Sequence, residues 1–431
     1  MSMHSTRTPS FCCLALVLLA ALSGQAFASS VTVGLCAGPG THYSSIQAAV
    51  NAVPAGSTIG VCPGTYAEQV TITQNLTLKG IAAGSSDAAV VVVPLGGLVT
   101  NGVTDIFGFP TAAQIFVQNA AVSIFHLTVD GANDGLTDCS IDAIGIYYQN
   151  SSGTITGNAV RNVLLPTGLQ GCQDGLAINV ESNTGSPVVT ISNNSVRNYD
   201  KNGITASGPD NGSAGPSVKV TGNTVIGLGA TTVTAQNGIQ IGYGATATVT
   251  ANNVIDDIYI NPACGGGGSE PPCYGASGIL IFGSAGVTVT GNTVESTQIG
   301  IVPVTESASL TANGTFVKAI HIGGTQNYDA IDLCSDGNTA QGNVIYGSAE
   351  SGIHLDDSCS PSTGGNSNVT GNNINEACAG ILLGTGTGNT TAPNTFSNVT
   401  NTTLAGDSCT PLFGPSKKHQ SLRPSAYKPK R

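Results

Sequence analysis

Carboxylates and a single well-placed histidine carry most of the chemistry this chain could do. In GIHLDDSC (residues 352–359), His354 is followed by Asp356 and Asp357. Upstream by 22 residues, YDAIDLCSD sets Asp332 and Cys334 at the same spacing from one another as His354 and Asp356. An Asp332–His354 pair could work as acid and base, or join Asp356 and Asp357 around a metal ion. The plain alternative is an Asp–His hydrogen bond in a structural staple with Cys334 and Cys359. A second set is Asp142, Asp174 and Asp200, each four residues before an Ile of a recurring element, with Lys201 beside the last. Stacked on neighbouring turns, such acids repel unless a cation, a raised pKa or hydrogen bonds offset them. Their spacing would suit a retaining glycosidase at about 5 Å or an inverting one at roughly 6.5–9.5 Å, and a bound Ca²⁺ is equally compatible. Solvated turn acids are the plain reading here too. No nucleophile elbow supports a Ser–His–Asp triad.

What must position these groups is a repeat. One half-motif, (Gly/Asn/Ala)-Asn-x-(Val/Ile), has its Asn at 158, 194, 223, 252, 292, 343 and 372, with a weaker copy at Asn394. The other is Gly-Ile, with its Ile at 146, 204, 239, 279, 301, 353 and 381, and variants at Ile178 and Ile331. The period is about 22 residues, with insertions at either turn. Segments such as GVTVTGNTV alternate apolar and polar, which means short strands. Gly and Asn at the turns, short strands and this period predict a parallel β-helix, all-β and single-domain, with coils about 4.8 Å apart. HYSSIQAAVNAV (42–53) predicts a short amphipathic helix capping the open end of the stack.

Residues 45–80, SIQAAVNAVPAGSTIGVCPGTYAEQVTITQNLTLKG, resemble the entry segment of right-handed parallel β-helix proteins of the pectin lyase-like type. The later G-N-x-V and G-I copies resemble their repeats, and the likeness spans roughly residues 31–410. That resemblance implies a right-handed coil and a fold shared by pectate and pectin lyases, polygalacturonases, pectin methylesterases and alginate epimerases. Their catalytic signatures are not recognisable here. Gly64-Thr65-Tyr66-Ala67-Glu68 matches only the structural G-x-Y-x-E element of the methylesterases. Gln173-Asp174-Gly175 faintly resembles their Q-D-T, but Asp105-Ile106-Phe107-Gly108 precedes it in the wrong order.

Stacked side chains fill such a coil, so ligands must bind outside. With each repeat Ile pointing inward, the following residue points out. The outward positions Tyr147, Gln149, Asn179, Glu181, Thr205 and Gln240 therefore predict a polar floor suited to sugar hydroxyls. Turns after Asn158, Asn223 and Asn252 are long, and the last holds the Cys264–Cys273 loop. Insertions on one edge of a solenoid can wall a binding face.

Composition narrows the partners. The 13 Lys and Arg against 24 Asp and Glu leave a net charge of −11. An acidic body excludes nucleic acid as a natural partner. Residues 1–28 read as a secretory signal peptide cut after Ala28, and no later stretch is long enough to span a bilayer. Cys36, Cys62, Cys139, Cys172, Cys264, Cys273, Cys334, Cys359, Cys378 and Cys409 form an even set in an exported chain, which predicts disulfides between sequence neighbours. The β-helix domain is expected over residues 29–410 and a basic disordered tail over 411–431. The expectation is an exported, monomeric, carbohydrate-binding protein of the periplasm, cell surface or medium, its partner a polysaccharide. It would need no cofactor, though Ca²⁺ is compatible, and it could cleave the sugar as a hydrolase or lyase. A non-catalytic adhesion module is the alternative. A periplasmic metal-maturation role is third.

Overall fold

The computed structural model describes residues 28–81, 86–209, 215–259, 274–304, 310–313, 316–318, 329–359, 361–406, 408–409 and 423–424. Two long sheets run the length of the molecule, one of 13 strands and one of 21, and the registered strand pairs within them are parallel. Each coil contributes to both sheets. The repeat isoleucines fall into one unbroken register column, from Ile146 through Ile178, Ile204, Ile239 and Ile279 to Ile301, Ile331, Ile353 and Ile381. All are fully buried in one apolar core that runs from Val31 to Ile381. Burying such a side chain stabilises by about 1.5–3 kcal/mol, so each coil adds a similar increment to its neighbours. This is a single-domain right-handed parallel β-helix.

Both halves of the repeat have a physical reason. The Asn side chains form a buried ladder: the Nδ2 of Asn194, Asn223 and Asn252 each donate to the Oδ1 of the next rung at 2.9 Å, ending on Asn292. Each also donates to a main-chain carbonyl of the preceding coil, as Asn223 does to Ile191 at 2.9 Å. A second ladder links Asn343, Asn372 and Asn394. The amide satisfies turn groups that would otherwise be buried without partners. Where Gly precedes the Ile, the backbone of the next coil comes close; Ala takes the position at 177 and 330. A Cβ on Gly145 would lie 2.6 Å from the Ala177 carbonyl oxygen, and one on Gly203 2.7 Å from that of Gly238.

The capping helix is Ile46–Ala52, shorter than the expected 42–53. His42–Tyr43 instead pairs with Ser30–Val33 as a strand. Ser45 then caps the helix, its Oγ accepting from the Ala48 N–H at 3.2 Å. The Glu68 carboxylate accepts from the N–H groups of Ile46 and Gln47 at 2.9 Å each, where the helix dipole favours a negative charge.

Cysteine pairing follows sequence order in Cys36–Cys62, Cys139–Cys172, Cys334–Cys359 and Cys378–Cys409. Cys264 and Cys273 lie outside the described residues, as do residues 1–27, where the signal peptide is expected, and most of the basic tail. Within that tail Arg423–Pro424 pairs in parallel with Tyr274–Gly275. Four disulfides fit an oxidising compartment, extracellular or periplasmic. Among the described residues no helix is long and apolar enough to cross a membrane.

Candidate metal centre on the outer face

Two residues of each coil turn outward around the repeat Gly-Ile. The residue after the Ile does so by strand alternation. The residue two before it does so as well, because the intervening residue sits on the inner side with the Ile, as Ala177 and Ala330 do. Ile144 accordingly packs with Phe116 and Tyr147, outside the axial core, and Asn202 Nδ2 donates to Thr205 Oγ1 at 3.0 Å. In the coil of Ile331 these outward positions are Asp329 and Asp332. In the next coil they are Ser351 and His354, and the register pairs Asp329 with Ser351 and Asp332 with His354.

Asp329, Asp332 and His354 therefore converge. His354 Nδ1 lies 3.2 Å from Asp329 Oδ2, and Ser351 Oγ donates to Asp329 Oδ1 at 2.5 Å. One ligand atom from each of the three lies within 4.8 Å of the others, and all three residues are buried. Asp332 Oδ1 and His354 Nε2 have no hydrogen-bond partner among the described residues. Burial raises the Asp332 carboxyl well above the usual range, and Asp356, Asp329 and Glu350 push it further against the pull of His354. For His354, burial acts downward, but Asp329, with Asp356 and Asp332 behind it, carries the imidazole up to about 10. Three carboxyl groups thus crowd one imidazole in a dry place, where their ionised forms are costly unless a cation offsets them.

The neighbouring outward rung is Cys334 with Asp356. Asp356 Oδ2 lies 3.3 Å from Cys334 Sγ and 4.0 Å from Cys359 Sγ. Asp357, expected as a further metal ligand, is not part of the group. Its carboxylate instead accepts from the Thr385 N–H at 2.7 Å, because the chain turns there.

The expected sugar floor is placed differently from the sequence-based expectation. Tyr147, Gln149, Asn179, Glu181, Thr205 and Gln240 do point outward, but all are buried rather than solvent-facing. The chain between Val92 and Thr111 folds back over the first of them. Thr104 O accepts from Gln149 Nε2 at 2.6 Å, the Ile106 N–H donates to Glu181 Oε2 at 3.3 Å, and Phe107 meets Tyr243 edge-on with 4.9 Å between centroids. Asp105 shapes this strap by accepting from the N–H groups of Phe107 and Phe109 at 2.9 and 2.7 Å. Underneath, Tyr147 Oη donates to Glu181 Oε2 at 2.7 Å and Asn179 Nδ2 to Oε1 at 3.0 Å. Burial, and secondarily Asp105, raise the Glu181 carboxyl.

Asp142, Asp174 and Asp200 keep one register, since Ile144 pairs with Leu176 and Leu176 with Asn202. All three are buried. Asp174 accepts from the N–H groups of Ala143, at 3.0 Å, and Gly175, at 2.6 Å. Lys201 turns to the Ala235 carbonyl at 2.5 Å, and burial lowers it to about 7. Burial lifts Asp200 to about 8, with Lys201 opposing and Asp134 adding to the rise. The three acids make a closed turn layer, with no carboxylate presented to solvent.

Sequence reasoning named Asp332, His354 and Asp356 but missed Asp329, the direct partner of His354. Asp329 stands in the quoted YDAIDLCSD. Strict alternation puts it on the inner side with Ile331, but Ala330 takes that side and Asp329 turns out.

Together these features define a right-handed parallel β-helix protein with a buried acid–histidine centre on its outer face. A family model described as the right-handed β-helix region matches residues 118–317, and one described as a periplasmic copper-binding protein, NosD, matches residues 273–412. The second match contains the whole centre. No curated protein matches the chain. Among solved structures, the GH136 lacto-N-biosidase of Eubacterium ramulus is similar at a TM-score of 0.55 and 12% identity, over 85% of this chain and 67% of that one. The A-module of the Azotobacter vinelandii mannuronan C-5 epimerase AlgE4 aligns at 0.43 and 14%, over 86% and 93%. The Dettilon tailspike protein gp208 aligns at 0.42 and 14%, over 79% and 62%. At these identities the likeness extends to the fold alone.

Proposed function

We propose that this is an exported metal-binding β-helix protein whose Asp329, Asp332 and His354 hold a divalent transition-metal ion, Cu(II) foremost. The carrying observation is the convergence of three buried ligand atoms within 4.8 Å, with Asp332 Oδ1 and His354 Nε2 lacking partners among the described residues. One imidazole with two carboxylates is a donor set for borderline divalent ions, and the affinity order among them favours Cu(II). A nitrogen ligand argues against Ca²⁺, which takes oxygen. The match of residues 273–412 to a periplasmic copper-binding family supports the choice of copper. A bound ion would also offset the acids around His354. Ser351 Oγ donates to Asp329 Oδ1 and so orients that carboxylate toward the site.

The polysaccharide reading has less support, because its floor lies under the chain's own strap and its carboxylates are closed off. Titration calorimetry with Cu(II), joined to electron paramagnetic resonance, tests the metal reading. The expected result is one tightly held ion per chain with nitrogen coupling from a single imidazole, both lost in His354→Ala. An ion bound equally well by that variant, or no binding below millimolar concentration, would overturn it. A panel of polysaccharides screened for new reducing ends or unsaturated products would then be the measurement of interest.

A further inference from the structure

Beside the acid–histidine centre lies a disulfide with an unusual neighbour. The Cys334 and Cys359 sulfurs both face Asp356 Oδ2, at 3.3 and 4.0 Å, and all three residues are buried. A disulfide sulfur carries no proton, so in the oxidised pair this carboxylate oxygen receives nothing from either sulfur. Two other disulfides are approached by donors instead: Cys62 Sγ by the Cys36 N–H at 3.1 Å, and Cys409 Sγ by Asn401 Nδ2 at 3.9 Å. Asp356 is held in place independently of the sulfurs, since it accepts from the Ser358 N–H at 2.7 Å and from Ser358 Oγ at 2.8 Å. Its position is therefore set whether the pair is oxidised or reduced. Once reduced, the two sulfurs would become donors to it or ligands alongside it.

We infer that Cys334, Cys359 and Asp356 form a second metal site, opened by reduction of their disulfide and selective for Cu(I). Their ligand atoms already lie within 4.8 Å of one another. A dithiol reductant opens the site: its two sulfurs pass two electrons and two protons to the Cys334–Cys359 bond and close into their own disulfide. Cu(I) then binds the two sulfurs as thiolates, releasing both protons to solvent. Thiolates select soft ions, whereas the imidazole and carboxylates of the first centre suit Cu(II). The second site lies just past the ends of the two strands that carry the first, with Cys334 two residues beyond Asp332 and Asp356 two beyond His354. One protein thus presents a site for each oxidation state of the same metal. This inference does not need the first centre to bind metal.

The test uses the full chain, reduced mildly with a dithiol that is then removed, and Cu(I) supplied from a coloured chelator. Reduction is expected to add one equivalent of Cu(I). Cysteine alkylation mapped by mass spectrometry should show Cys334 and Cys359 becoming reactive on reduction and at least 10-fold less reactive with Cu(I). The double variant Cys334→Ser, Cys359→Ser should lose the added equivalent, Asp356→Asn should weaken it about 10-fold, and His354→Ala should keep it. Equal alkylation with and without Cu(I), or an added equivalent that survives the double variant, overturns the inference. So does loss of the strand circular-dichroism signal when this pair alone is reduced, which would make it a structural staple. Preferential filling by Zn(II) would overturn the assignment to Cu(I).

Discussion

The same outward positions of the coil are used in opposite ways in two stretches of the molecule. Around Tyr147, Asn179, Thr205 and Gln240 they carry amides, hydroxyls and one acid, Glu181, whose two oxygens take bonds from Tyr147, Asn179 and the Ile106 N–H. Around Asp332 and His354 they carry several acids, with a carboxyl oxygen and an imidazole nitrogen left without partners among the described residues. Both layers are buried, so burial does not separate them. The number of acids does: a layer of amides and hydroxyls around one bonded acid needs no cation, while one in which several carboxyl groups crowd an imidazole suits something that brings positive charge.

The sharpest way to break that contrast is to remove ligands from each layer in turn. His354→Ala should weaken Cu(II) binding roughly 1,000-fold, about 4 kcal/mol, while Glu181→Gln should leave it unchanged in the same calorimetric titration. Equal affinities in both variants would erase the distinction. Stability should respond the other way round. Glu181→Ala strands the Tyr147 hydroxyl, the Asn179 amide and the Ile106 N–H, and should destabilise by about 3 kcal/mol in urea unfolding. The strap over residues 101–109 should also become the first site of limited proteolysis.

Asp332→Asn offers the reverse outcome in the metal-free protein. It removes a carboxyl whose ionisation burial and the neighbouring acids oppose, and keeps the shape. The expected change is a gain of about 2 kcal/mol without metal, turning into a loss when Cu(II) is added. A loss in both conditions would mean that the carboxyl serves the fold, and the contrast between the layers would fail.

The coil was legible in the sequence because its determinants are local and repeated. Ile331 to Ile353 spans one coil, so the pairing of Asp332 with His354 and of Cys334 with Asp356 follows from counting. Two things were not legible. Asp329 escapes because period-two alternation fails at the residue before the repeat Ile. The covering of the Tyr147–Gln240 layer escapes because the strap is an insertion without periodicity, held by single contacts such as Thr104 O to Gln149 and Phe107 to Tyr243. Local pattern specifies which side of the sheet a residue takes, and cannot report what an aperiodic loop later lays over it.

The smallest effect concerns the closed acid layer at Asp200, a third use of buried polarity. In the folded chain Asp200 keeps its proton up to about 8, whereas in the unfolded chain it ionises near the ordinary aspartate value of about 4. Between those limits the folded state holds more protons, so this residue's contribution to stability falls as pH rises. Lys201, lowered to about 7, is charged in both states below that pH, which leaves pH 5–7 as the window where Asp200 acts alone within the pair. Asp200→Asn should gain on the parent by up to about 1 kcal/mol per pH unit across that window, read as the difference between two sets of urea midpoints. A difference that stays constant with pH would mean the carboxylate is already ionised and paired with Lys201. The layer would then hold a working ion pair, and would stand closer to the acid–histidine centre than to the neutral floor beneath the strap.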